Sequence, residues 1–413
     1  MGSVPYHPIY LFGRVQGGGT PKADAQNWNG SLPFITPTEL AGLDGAPVSA
    51  SERTVTEIGA TQSSVIEAGV LVSCRAPIGS IGTTTTKVAF NQGCKGISIP
   101  DPVQAKYVAY ALIAARPELE NRGNGTTFSE ISSNSLGQMR IPAPPLPTQR
   151  AIANYLDRET AEIDGMRADL DELERLLTER RVSVAALHIF GDSDDSSFPR
   201  LSLKMVTDKT FAGEWGKDEG EQQVDRPCVR VADFNRKTNM VSSEVPTIRS
   251  YTPKNVAEKT LQTGDLLIEK SGGTNINPVG NVIEYVGPNG PLCSNFIQVV
   301  RLNDDQHPRY WQQAHLAAYQ TGITNLHVHQ TTGIQNLDLT GFTSEKYPAP
   351  PLAEQRRIAD EIDRETAEID SMLEDVTKLR DLLAERRAAV ISAAVTGQID
   401  IPVSPTYKDE PHA

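Results

Sequence analysis

Apolar residues recur at heptad spacing along two stretches of this chain, and the two stretches are copies of each other. Residues 144–181 read PPLPTQRAIANYLDRETAEIDGMRADLDELERLLTERR, and residues 350–387 read PPLAEQRRIADEIDRETAEIDSMLEDVTKLRDLLAERR. The offset is 206 throughout, and 23 of the 38 positions are identical. In the first copy one seam position holds Leu156, Ile163, Leu170, Leu177 and Val184, and the other holds Ile152, Glu159, Met166, Leu173, Arg180 and Leu187. In the second copy the same rows hold Ile362, Ile369, Val376, Leu383 and Val390, then Ile358, Glu365, Met372, Leu379, Arg386 and Ala393. A 3.5-residue apolar repeat of this length predicts a long helix that packs along a partner helix.

The ends support that reading. Proline clusters (Pro142, Pro144, Pro145, Pro147; Pro348, Pro350, Pro351) precede each copy, and Gly191 and Gly397 follow. Proline is tolerated at a helix entry and glycine favours a helix exit. Each helix would be about 60 Å long at 1.5 Å per residue. The seam charges set a direction. An antiparallel pair brings Glu159 near Arg386 and Arg180 near Glu365, whereas a parallel pair sets like charges together. The helix–helix seam is therefore expected at Ile152, Leu156, Ile163, Met166, Leu170, Leu173 and Leu177 of one helix. Its other side is Ile358, Ile362, Ile369, Met372, Val376, Leu379 and Leu383.

The remaining chain changes period. Short β-type runs occur at Val70–Ser73, Gly96–Ile99, Pro227–Val231, Asp265–Glu269, Asn281–Val286 and Phe296–Leu302, with turn residues between them. Single helical stretches follow at Val103–Ala115 and His307–Tyr319. Strands followed by a helix predict an α+β class, with two domains built on curved β-sheets. The expected boundaries are 1–147 for the first domain, 148–190 for the first long helix, 191–352 for the second domain, 353–397 for the second helix and 398–413 for a tail. A weaker repeat links the domains. Val70–Gly82 (VLVSCRAPIGSIG) is similar to Asp265–Gly280 (DLLIEKSGGTNINPVG), and Gly125–Ile131 to Gln330–Ile334.

Composition narrows the chemistry. No apolar run approaches a membrane span, the best being Tyr107–Ala115, and no leader pattern is visible, so the expected compartment is the cytoplasm. The cysteines Cys74, Cys94, Cys228 and Cys293 form no CxxC pair and read as reduced, buried residues. Gly17–Lys22 (GGGTPK) lacks phosphate-loop spacing, and neither GxSxG nor HExxH occurs. His327 and His329 lie two apart, without a nearby Cys or third His to complete a metal site. The chain is thus expected to be no enzyme, with no metal.

The formal net charge of −13 speaks against nucleic acid until its distribution is considered. The two long helices and the tail carry nine of the thirteen excess negative charges, and residues 1–147 are neutral. Phosphate binding needs a local basic face, not a basic total. The loops are rich in Asn, Gln, Thr, Lys and Arg, which can pair with base edges, although Asn, Gly and Thr also serve turns. The candidate DNA contacts in the first domain are Lys22, Asn27, Arg75, Asn91, Gln92, Lys95, Arg122, Asn124 and Thr126. Those in the second are Lys270, Asn275, Asn277, Asn295, His327, His329 and Gln330.

Three marks carry a family resemblance: Gly17–Leu40 (GGGTP, then W, G and LPFITPTEL), Arg75–Ile97 (RAPIGSIG, then AFNQGCKGI), and the twice-used PPL..QR.IA opening of the long helix. With them the chain resembles the DNA-specificity (S) subunit of type I restriction–modification systems over essentially its whole length. The second domain lacks a clear GGTP element, Phe211–Gly216 (FAGEWG) being the nearest. The resemblance implies two target-recognition domains, each reading half of a split site in double-stranded DNA, held apart by an antiparallel coiled coil. It implies docking of type I methyltransferase (M) subunits, two of them, with a restriction/translocase (R) subunit as a further candidate. S-adenosylmethionine would sit on the methyltransferase, and this chain would bind no cofactor. A coiled-coil scaffold whose globular domains bind protein is the alternative, and it accommodates the acidic total.

Overall fold

The computed structural model of the chain describes residues 4–48, 50–123, 130–191, 198–236, 238–241, 244–274, 277–331 and 333–403. It comprises two compact units, one formed by Met1–Asp171 with Thr377–Ala413 and the other by Glu172–Val376.

Unit 1 is built on two four-stranded sheets. Its strands are β1 (Arg14–Gly17), β2 (Trp28–Ile35), β3 (Arg53–Val55), β4 (Ser64–Ile66), β5 (Gly69–Ser73), β6 (Ile81–Thr84), β7 (Val88–Phe90) and β8 (Cys94–Ser98). One sheet runs β1-β8-β5-β6, the other β3-β2-β7-β4. The first is antiparallel throughout, with Arg14 opposite Ser98, Val70 opposite Ile97 and Val72 opposite Ile81. Strand alternation decides the packing. Val70 and Val72 of β5 join the core under helix α1 (Pro102–Ala114), while Leu71 between them joins Ile35, Ile66 and Phe90 of the second sheet. Asp101 caps α1, its side chain accepting from the Val103 and Gln104 amides, and Pro102 fills the first turn.

The first long helix, α2, spans Leu146–Phe190. Ile152, Ala153 and Leu156 of α2 enter the unit 1 core beside Ile391, Ala394 and Val395 of the second long helix.

Unit 2 repeats the plan. Its strands are β9 (Thr207–Ala212), β10 (Val224–Val229), β11 (Phe234–Asn235), β12 (Met240–Val241), β13 (Ile248–Tyr251), β14 (Leu266–Glu269), β15 (Val282–Glu284), β16 (Leu292–Cys293) and β17 (Ile297–Leu302). The main sheet runs β9-β17-β14-β15-β12-β11. Its first four strands reproduce the order β1-β8-β5-β6 of unit 1. A second sheet, β13-β10-β16, contains a parallel pair, as β2 and β7 do in unit 1. Helix α3 (Pro308–Gln320) lies 206 residues beyond α1 at both ends, so the sequence offset extends upstream of the recognisable repeat. The second long helix, α4, spans Leu352–Val395.

Both units contain antiparallel helix pairing. In unit 1, Asp164 pairs with Arg387 at 3.3 Å and Asp171 with Arg380 at 2.5 Å, one number rising as the other falls. In unit 2, Arg181 pairs with Asp370 at 2.5 Å and His188 with Glu365 at 3.1 Å. The seam charges meet as their signs require, Arg386 standing 4.0 Å from Glu159 and Arg180 3.7 Å from Glu365.

The apolar seam departs from the heptad expectation. Ile152, Leu156, Ile163, Leu177, Ile358, Ile362, Ile369 and Val376 are buried, and Leu170 and Leu383 are half-buried. Met166, Leu173, Met372 and Leu379 are instead exposed, from 37% for Met166 to 52% for Met372. A helix near 3.6 residues per turn drifts about 20° per heptad against a strict seven-residue repeat. One row keeps facing the partner helix, and the other turns towards water.

Candidate nucleic-acid interface

In unit 1 the polar candidates gather where β1 leaves its sheet. The Gly18 amide donates to the Cys94 carbonyl at 3.1 Å, and the Gly19 amide to Phe90 at 3.0 Å. A methyl group on Gly18 would lie 1.7 Å from the Asn91 carbonyl oxygen, so this crossing needs glycine. Beyond it the Thr20 hydroxyl bonds Gln92. The Lys95 ammonium, nearly buried, donates to the Gln92 carbonyl at 3.2 Å and to Glu130 at 3.0 Å. Arg75 meets the other oxygen of Glu130 through Nε at 2.9 Å and Nη2 at 2.7 Å. Burial pushes the Glu130 carboxyl up, but the hydrogen bonds from Arg75 and Lys95 outweigh it and hold the group below the usual carboxylate range. Two cations share one anion here, leaving a local positive charge in a unit whose long-helix segments are acidic.

Two candidates of this unit have structural roles instead. Asn27 is fully buried, donating to the Lys22 carbonyl at 3.1 Å and accepting from Gln62 at 3.0 Å. It holds the 22–27 turn closed and cannot reach a base edge, which corrects the expectation. Asn91 folds its side-chain oxygen onto the Gly93 amide at 2.9 Å, an Asx turn of the kind its residue type also favours. Lys22 and Gln92 are exposed. Arg122, on the helix Arg116–Gly123, pairs with Glu118 one turn earlier at 2.7 Å. Asn124 and Thr126 lie outside the described residues.

In unit 2 the candidates collect around a small sheet formed by Ser271–Gly272, Ile334–Leu337 and Val328–Thr331. Lys270 sits at its edge, its amide donating to Phe296 and its carbonyl accepting from Leu337, each at 2.9 Å. Desolvation pulls its ammonium pKa below the ordinary lysine value. His329 is exposed and in register with Asn336, whose side chain accepts from Ser271 at 2.7 Å. Gln330, Asn277 and Asn295 are exposed as well. His327 is not on this surface. It ends a short 3-10 turn, is largely covered, and its Nε2 lies 2.9 Å from Glu345, so it ties that turn to the end of the helix Leu339–Ser344. Asn275 lies outside the described residues.

Sequence reasoning missed other polar anchors. Glu130 organises Arg75 and Lys95 across a long sequence separation that no local pattern reveals. Arg236 bonds the buried Glu269 at 2.6 Å, and burial still raises the pKa of that carboxyl. Each unit also stacks an arginine on a tryptophan beside its second sheet: Arg53 on Trp28 at 3.6 Å, and Arg249 on Trp215 at 4.6 Å.

Comparison with known proteins places this architecture. Residues 12–175 match the family model described as the type I restriction modification DNA specificity domain. Over 97% of its length the chain superposes on a chain solved in work on complex assembly and conformational transition of the type I R-M system. That match has a TM-score of 0.72, covers 99% of the other chain and shows 15% identity. The N-terminal part of the chain is thus similar to the type I specificity domain, and the whole chain shares the fold of that solved chain.

Among relatives, the MjaIX specificity subunit of Methanocaldococcus jannaschii is 30% identical over 173 residues, 40% of each chain. The EcoKI specificity subunit of Escherichia coli is 20% identical over 294 residues, 69% of this chain and 63% of that one. The HsdS subunit from Thermoanaerobacter tengcongensis shares the fold, with a TM-score of 0.61 at 14% identity, covering 96% of this chain and 97% of that one. The match spans 40% of the length of the MjaIX subunit and 25% of the MjaX subunit. Among the described residues, no helix is long and apolar enough to cross a membrane.

Proposed function

We propose that this chain is the DNA sequence-specificity subunit of a type I restriction–modification complex, each unit reading one half of a bipartite site in double-stranded DNA. The observation that carries this reading is duplication with divergence. The four strands of the first sheet of unit 1 recur in the same order in the main sheet of unit 2, and the helix that follows is offset by 206 residues, yet the exposed polar side chains differ: Lys22, Arg75 and Gln92 in one, and Asn295, His329 and Gln330 in the other. A shared scaffold with unlike polar edges suits two readers of unlike sequences. Phosphate contacts would position each unit and base contacts would select sequence.

The catalytic work belongs to partners. Methyltransferase subunits, two of them, carry S-adenosylmethionine and methylate adenine, and a restriction/translocase subunit adds cleavage. The apolar side chains left open on the long helices support such docking. They include Met166, Leu379 and Leu382 in unit 1, and Leu173, Leu176 and Met372 in unit 2. The experiment is a comparison of modified adenines in host DNA with and without this chain. A bipartite motif that vanishes with the chain is the expected result, and an unchanged methylome sinks the proposal. On the same reading, removing one heptad from both long helices changes the gap between the half-sites and leaves the half-sites themselves unaltered.

A further inference from the structure

Trp28 and Arg53 form a platform whose construction goes beyond ordinary packing. Trp28 opens β2, and both Trp28 and Leu32 lie opposite Val55 of β3, so the intervening residues form a bulge. Within that bulge Asn29 has φ 61°, a left-handed conformation uncommon outside glycine, and a methyl group on Gly30 would lie 2.3 Å from the Val55 carbonyl oxygen. Bulges re-aim side chains at functional edges. This one brings the indole back over the strand pair, edge-on to Phe34 at 5.1 Å between ring centroids. The indole N–H donates to the Lys22 carbonyl at 3.0 Å, which fixes the ring.

On that ring lies the Arg53 guanidinium, 3.6 Å from its centroid. Arg53 is exposed, and among the described residues its guanidinium makes no hydrogen bond or ion pair. Stacking holds its plane, so the in-plane N–H groups are left for an outside acceptor. The matching arginine of unit 2 differs. Arg249 also stacks on a tryptophan, but its guanidinium is occupied by Asp218 and by the carbonyls of Trp215 and Gly216. A buttress for the tryptophan needs only the arrangement of unit 2. Unit 1 keeps the same stack and leaves the donors open.

We propose that Arg53 is a base-reading residue of unit 1, presenting two parallel donors to the O6 and N7 acceptors of one guanine in the major groove, with Trp28 as its positioning residue. This rests on the DNA-specificity reading above and adds a base and a residue to it. A planar fork matches guanine's paired acceptors, whereas an ammonium is a point charge with no such fit. Lys22, exposed beside the platform, would meet the neighbouring phosphate.

Methylome sequencing tests the assignment in cells expressing the full chain with its methyltransferase partner, comparing wild type with Arg53→Gln, Arg53→Lys, Trp28→Phe and Trp28→Leu. Arg53→Gln is expected to reduce preference for one G·C pair in one half-site by about ten- to a hundredfold, leaving the other half-site unchanged. Arg53→Lys relaxes the same position, Trp28→Phe retains the motif because it keeps a stacking face, and Trp28→Leu behaves as Arg53→Gln. Melting temperatures of the purified variants accompany the sequencing. An unaltered motif overturns the assignment, as does an even loss of modification at all sites, whether or not melting changes. A wild-type methylome without any bipartite motif removes the DNA-specificity reading itself, and this assignment with it.

Discussion

Arg386 of α4 stands 4.0 Å from Glu159 of α2 in unit 1, where antiparallel pairing brings opposite seam charges together. Its repeat-related pair, Arg180 and Glu365 of unit 2, is 3.7 Å apart. Both arginines are more than half exposed, so water screens the attraction, and each pair is worth less than about 1 kcal/mol. Reversing one charge, as in Arg386→Glu, is expected to lower stability by less than that. The combined Arg386→Glu and Glu159→Arg change should restore it. Urea unfolding of the single and double variants measures the coupling, and a coupling of zero would mean that the pair contributes neither to stability nor to the direction of pairing.

Gly18 is more demanding. The methyl of Gly18→Ala would meet the Asn91 carbonyl oxygen at 1.7 Å, inside any tolerable contact, and the obstacle is backbone. Relief requires shifting β1 or the β7–β8 turn, a distortion that typically costs 1–3 kcal/mol. Thermal unfolding of Gly18→Ala should therefore show a transition lowered by about 2–4 °C for each kcal/mol in a unit of this size. An unchanged transition would show that the strand can yield without cost.

Glu130 tests the polar cluster directly. In Glu130→Gln the nearly buried Lys95 ammonium loses its carboxylate partner, at an expected cost of about 1–3 kcal/mol, while half-exposed Arg75 loses little. The native carboxyl is held below its ordinary range, so its stabilising share is present above the unfolded value of 4.5 and lost as pH falls through the lower folded value. Wild type should approach Glu130→Gln in stability in strong acid. Melting curves at neutral pH and near pH 3 decide it, and a difference that persists unchanged at low pH would rule out the ionic account.

Much of the fold was legible because its signals are local. The heptads gave the long helices, the seam charges gave their direction, and Val70–Ser73 and Phe296–Leu302 announced strands by composition alone. The candidate site was less legible because side-chain roles there are settled by partners remote in sequence. Asn27 reads as a recognition residue until Gln62 and the Lys22 carbonyl close around it. His327 reads as half of a pair with His329 until Glu345 claims it. Arg53 gave no signal at all, since its platform depends on a bulge that periodicity does not encode. Met166 and Leu379 misled in the opposite sense: a heptad pattern cannot distinguish a row that stays against its partner from one that drifts into water.

His315 supplies a pH dependence with a definite sign. It is fully buried in unit 2, stacked on Phe342 and edge-on to Tyr347 at 4.9 Å each, and among the described residues neither ring nitrogen has a hydrogen-bond partner. Burial alone pulls its pKa down from 6.5 to about 3. Between those values the unfolded chain takes a proton at this residue and the folded chain does not, so stability rises with pH across the window. The neutral form's contribution is complete above pH 6.5 and is lost progressively below it, at up to about 1.4 kcal/mol per pH unit. His315→Phe keeps an aromatic ring in the site and removes the proton acceptor. The difference in unfolding free energy between His315→Phe and wild type is therefore expected to shift in favour of the variant between pH 6.5 and pH 4.5. Buried carboxyls with raised pKa, such as Glu269, act in both proteins and cancel in that difference. A difference that is flat across the same range would show that His315 reaches water, or a partner for its proton, before the unit unfolds.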